Sequence, residues 1–162
     1  MGQQHELQEG TFHITTNARG RVPWLTLPGV PELIILNLHW TKILYEAKVY
    51  AFCVLPNHFH MVIRIPEGRS MSRFVQSFKS NSARDIGEYL KNLPSGEPGL
   101  AACRTLFTSW QKGFHTHYLE QSFYNALNYV HYNAFRHHLV EDPLDWPWSS
   151  LVRTEILDGF EC

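Results

Sequence analysis

Two histidines, His58 and His60, stand two residues apart in LPNHFHMVI, directly after a Pro-Asn turn. Residues i and i+2 of a strand share a face, so the two imidazoles project together while Phe59, Met61, Ile63 and Ile65 form an apolar row behind them. Two neutral imidazoles on a rigid strand suit a divalent metal, each giving one ring nitrogen, and a third protein ligand must then come from elsewhere. The chain holds ten histidines, with a second such pair at His115 and His117. The spacing therefore also fits two histidines that merely fill a half-buried sheet face.

A second constellation lies on a helix expected over residues 119 to 138. Leu119, Phe123, Ala126, Val130 and Ala134 fall on one stripe at ~100° per residue, with Asn133 just inside its edge and Tyr129 beside it. Tyr129 and Asn133 are i, i+4 neighbours. A buried amide without a partner costs roughly 1 to 3 kcal/mol, and a metal on His58 and His60 would satisfy the Asn133 carbonyl oxygen. A plainer alternative stays open, with Asn133 bonded to backbone or water at a helix end and Tyr129 one amphipathic aromatic among seven tyrosines.

These side chains must be carried by a scaffold. TFHITT (11 to 16) reads as a first strand, followed by the basic loop NARGRVP. Pro31 suits a first helical turn, and Leu33, Leu36, Trp40, Ile43, Leu44 and Ala47 predict the buried face of a helix over 31 to 47. VYAFCVL (49 to 55) and HFHMVIRI (58 to 65) predict an antiparallel hairpin turning at Pro56 and Asn57. A second helix starts at a cap, Ser70 or Ser72, buries Met71, Phe74, Val75, Phe78, Ile86 and Leu90, and runs to about Lys91. NLPSGEPG is a loop, and RTLFTSW (104 to 110) is the expected fourth strand. The order predicts an α+β fold, a ferredoxin-like βαββαβ sheet with an added C-terminal helix. The whole chain, 1–162, reads as one domain, with a core of about 11–138 and a packed extension over 139–162 that has no assignable element.

Composition narrows the function. At 162 residues, 44% hydrophobic, the chain buries one sizeable core. A net charge of -1 and a pI near 6.8 exclude an overall basic surface, so nucleic-acid contact must rest on local patches. Cys53, Cys103 and Cys162 are far apart, odd in number and without C-x-x-C spacing, which suggests reduced thiols in a cytoplasmic protein. No apolar run approaches the ~18 residues of a membrane span, and MGQQHELQEG lacks the regions of a signal peptide.

Taken in order, LPNHFH, SRFVQSFKS (72 to 80), WQKGFHTHYL (110 to 119) and YVHYNAFRHHLVEDPLDWPWSS (129 to 150) resemble the REP-associated tyrosine transposases and related single-tyrosine HUH transposases of small insertion sequences. The likeness spans about Thr11 to Ser150. It implies Mg²⁺ or Mn²⁺ held by His58, His60 and Asn133, with Tyr129 as the nucleophile. The implied reaction is cleavage and rejoining of single-stranded, hairpin-containing DNA through a 5′-phosphotyrosine link. Arg73, Lys79 and Arg84 on the second helix, Arg19 and Arg21 in the first loop, and Trp110 beside Lys112 are the residues that could contact DNA through charge and stacking.

The chain departs from the pattern at Asn133-Ala134, where family members commonly carry Asn-Pro. Tyr132 and Tyr124 are rival nucleophiles, although Tyr132 falls away from the buried stripe. Two other functions rank behind this one. One is a domesticated, non-transposing ferredoxin-like nucleic-acid binder. The other is a two-histidine phosphoesterase, which needs two H-x-[ST] motifs where only His13-Ile14-Thr15 is present. The residues leave open the DNA target, the physiological metal, and whether the chain acts alone or as a homodimer exchanging the tyrosine helix.

Overall fold

The computed structural model describes residues 9–94, 96 and 98–159, and side chains throughout these except that of Pro98. Residues 1 to 8, most of the stretch read as lacking the regions of a signal peptide, and Cys162 lie outside the described residues. β1 (Gly10–Asn17) leads through a short 3₁₀ turn (Arg19–Arg21) to α1 (Val30–Leu44). The hairpin β2 (Lys48–Val54) and β3 (His58–Ile65) follows, and then α2 (Met71–Lys91). α3 (Pro98–Leu106), β4 (His115–Tyr118), α4 (Phe123–His131) and the one-turn α5 (Asn133–Arg136) complete the set with a 3₁₀ turn at Pro143–Asp145.

The four strands form one sheet in the order β2-β3-β1-β4, and every neighbouring pair is antiparallel. This is the ferredoxin-like order expected from the sequence, and it sets β1 beside β3. Strand alternation then divides the residues between two cores. Phe12, Ile14, Phe52, Val54, Phe59, Met61 and Ile63 face α1 and α2, whereas Ala51, Cys53 and Val62 meet Phe123, Ala126, Val130 and Ala134. The sheet is thus covered on both faces, and α4 with α5 covers the face that carries His58 and His60.

Local chemistry accounts for the element ends. The Ser70 hydroxyl accepts from the backbone N–H of Arg73 and caps α2. Gly29 precedes α1 at φ +83°, where a Cβ would run into the Tyr89 hydroxyl, so only glycine fits there.

Three expectations are corrected. Most of the apolar stripe assigned inward on α1 faces out instead, with Leu36, Trp40, Ile43 and Leu44 at 45 to 60% exposure, while Leu33 packs on the core and Ala47 is buried beyond the helix end. α1 is apolar nearly all round, so its periodicity does not choose a face. Val30, Ile34, Ile35 and Leu38 go inward, together with two polar groups that find partners there. Asn37 donates to the Leu33 carbonyl and the Asp85 carboxylate, and Thr41 donates to the Asn37 carbonyl.

RTLFTSW is not a strand. Its first residues end α3, where Arg104 donates to the carbonyls of Leu90 and Leu93 at the end of α2. Trp110 makes only an isolated bridge to Ala18, and the fourth strand is the polar HTHY. The third correction is to the helix expected over 119 to 138, which divides at Tyr132 into α4 and α5.

The C-terminal extension packs along the outer edge of β2. Trp148 and Phe52 carbonyls accept from Val54 and Ser150, Asp158 exchanges bonds with Val49, and the Trp146 indole donates to the Val54 carbonyl.

Candidate active site

His58 and His60 lie at the start of β3, buried to 7% and 4% exposure, with ring centroids 5.0 Å apart. Each is held through Nδ1. His58 Nδ1 donates to the Asn57 side-chain oxygen at 2.7 Å, which leaves the Nε2 lone pair for another partner. His60 Nδ1 meets Thr15 Oγ1 at 2.9 Å and His13 Nε2 at 3.0 Å, both from β1. With its proton on Nδ1, His60 also turns an Nε2 lone pair outward. Fixing one ring nitrogen to orient the other is the usual support for a metal-binding histidine.

Burial keeps these rings neutral. It lowers His13 to about 4, with the like charge of His117 adding to the effect. It likewise lowers His58 to about 4, with His137 and, last, Arg21 acting in the same direction against the favourable approach of the Asn133 amide. His60 falls well below the ordinary histidine range through burial first, then His58, His13 and His137. Uncharged imidazoles are the form that ligates a cation.

Among the described residues no three His, Cys, Asp or Glu side chains are grouped to hold a metal ion, so a third ligand must be of other chemistry. Asn133, at the start of α5, is the candidate beside them. Its side chain is 1% exposed and approaches the His58 ring closely enough to favour the ring's charged form, yet neither its oxygen nor its nitrogen reaches a partner at full hydrogen-bond geometry. An orphaned buried amide calls for an explanation. A hard divalent ion beside two imidazoles would accept its oxygen, so this donor set fits such an ion.

Tyr129, on α4, closes the group. Its ring stands 5.5 Å from His60, edge to face, and 5.6 Å from His13, while 38% of the residue remains exposed. The Arg136 guanidinium lies 5.0 Å from the ring centroid. The Tyr129 hydroxyl has no hydrogen-bond partner among the described residues. All these groups come from one chain. Tyr132 and Tyr124 are 48% and 60% exposed, and the Tyr124 ring packs edge to face on Phe123.

The basic residues separate into groups. Arg19, Lys79 and Lys112 line one groove of about 1130 Å³ with Trp110, Gln111 and Phe114. Lys79 donates to the Gln111 and Gly113 carbonyls at 2.7 and 2.5 Å, so it pins this loop, and burial lowers its pKa. Arg73 borders a different hollow with Arg69, and Arg84 pairs with Asp85 at 3.3 Å. Arg21 is close enough to act on the charge of His58. Trp110 is corrected from base stacking to core packing. It is 4% exposed, donates to Ser82 Oγ, and meets Trp24 and Phe78 edge-on or tilted, so the ring is spent on the core.

The family model for IS200-like transposases matches residues 7–133, a stretch that contains His58, His60, Tyr129 and Asn133. The chain belongs to the IS200-like transposase family. Members of this family are generally metal-dependent. A Haemophilus influenzae protein named as a REP-associated tyrosine transposase is 27% identical to this IS200-like chain, over 67% of its length. The chain spans 61% of that relative. A solved structure of a REP-associated tyrosine transposase bound to a REP hairpin superposes with a TM-score of 0.70 at 23% identity, covering 94% of this chain and 84% of the other. A Deinococcus radiodurans structure described as a transposase gives 0.53 at 15% identity, over 74% and 86% of the two chains. At these identities the two likenesses establish the IS200-like fold. No helix among the described residues is long and apolar enough to cross a membrane.

Sequence reasoning overlooked part of this cluster. His13 and Thr15 contact His60, His117 pairs across the sheet with His13, and His137 stands 5.0 Å from His58. The signal was present in His13-Ile14-Thr15, whose alternation places both polar residues on one face. The βαββ order then places that face beside His60.

Proposed function

We propose that the protein is a metal-dependent single-strand DNA endonuclease and strand transferase. The observation that carries this reading is the meeting, within one chain, of two neutral imidazoles, an orphaned buried amide and an accessible phenol. The catalytic unit is taken as about residues 11–138, with 139–162 as an extension. Buried free thiols at Cys53 and Cys103 accord with a cytoplasmic setting.

The Tyr129 oxygen attacks a backbone phosphorus in line. The bond from phosphorus to the 3′ oxygen breaks, the phenol proton leaves to solvent or to the departing oxygen, and a 5′-phosphotyrosine and a free 3′-OH result. Attack by a 3′-OH on that link rejoins strands and returns the phenol. His58, His60 and Asn133 would hold Mg²⁺ or Mn²⁺, which when bound polarises the non-bridging oxygens and offsets the charge that grows there. Thr15, His13 and Asn57 hold the two imidazoles in pose, and the packing of α4 on the sheet fixes the phenol beside them. Arg19, Lys79 and Lys112 supply a basic groove for the DNA, with Arg21 nearer the site and Arg73 and Arg84 as outlying contacts. The substrate class, hairpin-bearing single strands, accords with the hairpin named for the structural relative.

The test incubates the protein and Mn²⁺ with a library of hairpin-bearing single strands that have randomised flanks, then recovers covalent adducts on denaturing gels and sequences them. Wild type is expected to form adducts, Tyr129→Phe to form none, and Tyr132→Phe to form them still. Loss of adducts only in Tyr132→Phe overturns the nucleophile. Tight DNA binding by wild type without any adduct favours the domesticated binder.

A further inference from the structure

The helical segment that presents Tyr129 also carries a groove of about 570 Å³, lined by Asn125, Asn128, Tyr129, Tyr132, Phe135 and Arg136. Of these residues Tyr129 joins the groove to the histidine cluster, through its ring contacts with His13 and His60. Tyr132 and Phe135 each show 48% exposure, large for aromatic rings on a chain with an ample core. Asn125 and Asn128 are exposed amides one helical turn apart. Arg136 has no carboxylate partner among the described residues and rests over the Tyr129 ring. The lining includes a cation and no acid, so its charge suits a polyanion.

Size and position select the occupant. The groove is too small for a folded partner, and its wall includes the phenol itself. A strand attacked at one phosphate must continue past Tyr129 on either side, and this groove adjoins that point. We infer that it seats the single-stranded nucleotides adjoining the phosphate that Tyr129 attacks. Tyr132 and Phe135 stack on bases, the two asparagines bond to base edges, and Arg136 pairs with phosphate oxygens. This inference rests on the reading of Tyr129 as nucleophile. It also gives Tyr132 a role other than rival nucleophile.

The test separates binding from chemistry. Fluorescein-labelled oligothymidylate of about fifteen nucleotides is titrated by anisotropy in EDTA, and each of Tyr132→Ala and Phe135→Ala is expected to weaken binding about fivefold or more, the lower range for one stacked base. Arg136→Ala is expected to weaken it and to flatten its salt dependence, with Arg136→Lys restoring part of both. Tyr124→Ala, an exposed tyrosine on the same helix outside the groove, should bind as wild type, and melting curves check that every variant is folded. Binding within twofold of wild type for both ring variants and Arg136→Ala overturns the groove. The adduct assay run on the same preparations keeps the two readings apart. Groove-dependent binding with no wild-type adduct removes the chemistry and keeps the groove. Tyr129-dependent adducts with groove-independent binding do the reverse.

Discussion

Replacing Asn133 by leucine is expected to stabilise the metal-free protein and to abolish its response to metal. The amide is almost completely buried and neither of its polar atoms completes a hydrogen bond. A buried polar group left unsatisfied costs about 1 to 3 kcal/mol, which an apolar side chain of similar volume does not incur. For a chain of this size each kcal/mol moves Tm by roughly 2 to 4 °C, so a rise of several degrees is expected for Asn133→Leu in EDTA. Saturating Mn²⁺ reverses the comparison, because a ligand at a hundred times its Kd adds about 2.7 kcal/mol to the wild type and far less to a variant missing one ligand. Calorimetric melts of both proteins in EDTA and in millimolar MnCl₂ measure the four values. A leucine variant that melts below wild type in EDTA, and keeps the full Mn²⁺ shift, would refute the assignment of Asn133 as a ligand held ready at the expense of stability.

Three further outcomes are expected. His13 and His58 titrate near 4 when folded and near 6.5 when unfolded, so the unfolded chain binds more protons between those values. Their stabilisation is complete above pH 6.5 and is lost as pH falls toward 4, by up to about 1.4 kcal/mol per pH unit for each ring, and urea titrations at pH 7 and pH 5 should differ accordingly. Thr15→Val removes a support of His60 and should weaken Mn²⁺ binding about 10- to 100-fold in a spin-resonance titration, while leaving the fold intact. Trp110→Ala should destabilise the protein by about 3 to 5 kcal/mol in denaturant melts, as a core aromatic does, whereas a ring used only for base stacking would change stability by less than about 0.5 kcal/mol.

Much of the scaffold was legible where periodicity and a stop signal coincide. β3 was placed to the residue because alternation runs from His58 to Ile65 after a Pro-Asn turn, and α2 because a serine cap precedes an amphipathic run. α1 was legible as a helix but not in its orientation, because the polar groups it buries, Asn37 and Thr41, are satisfied by partners that only the folded chain provides. β4 was missed because an edge strand of four residues, three of them exposed, carries no hydrophobic alternation. RTLFTSW misled for the converse reason. Its aromatics are core residues of a loop, with Phe107 4.8 Å from Trp24, edge to face. Within the candidate site, spacing alone left His58, His60, Tyr129 and Asn133 open to a plain structural role, and the resemblance to single-tyrosine HUH transposases singled them out. The supports from β1 depend on register between strands distant in sequence.

The packing of the C-terminal extension against β2 has a consequence for how the sheet can grow. An uncovered outer strand offers a row of amides and carbonyls to any passing chain. Here Val49, Phe52 and Val54 have theirs occupied by Asp158, Ser150 and Trp148 of the same molecule. Lateral recruitment of a foreign strand is therefore blocked on that flank. It is confined to the other flank, where the brief, histidine-bearing β4 offers a poor template for extended stacking.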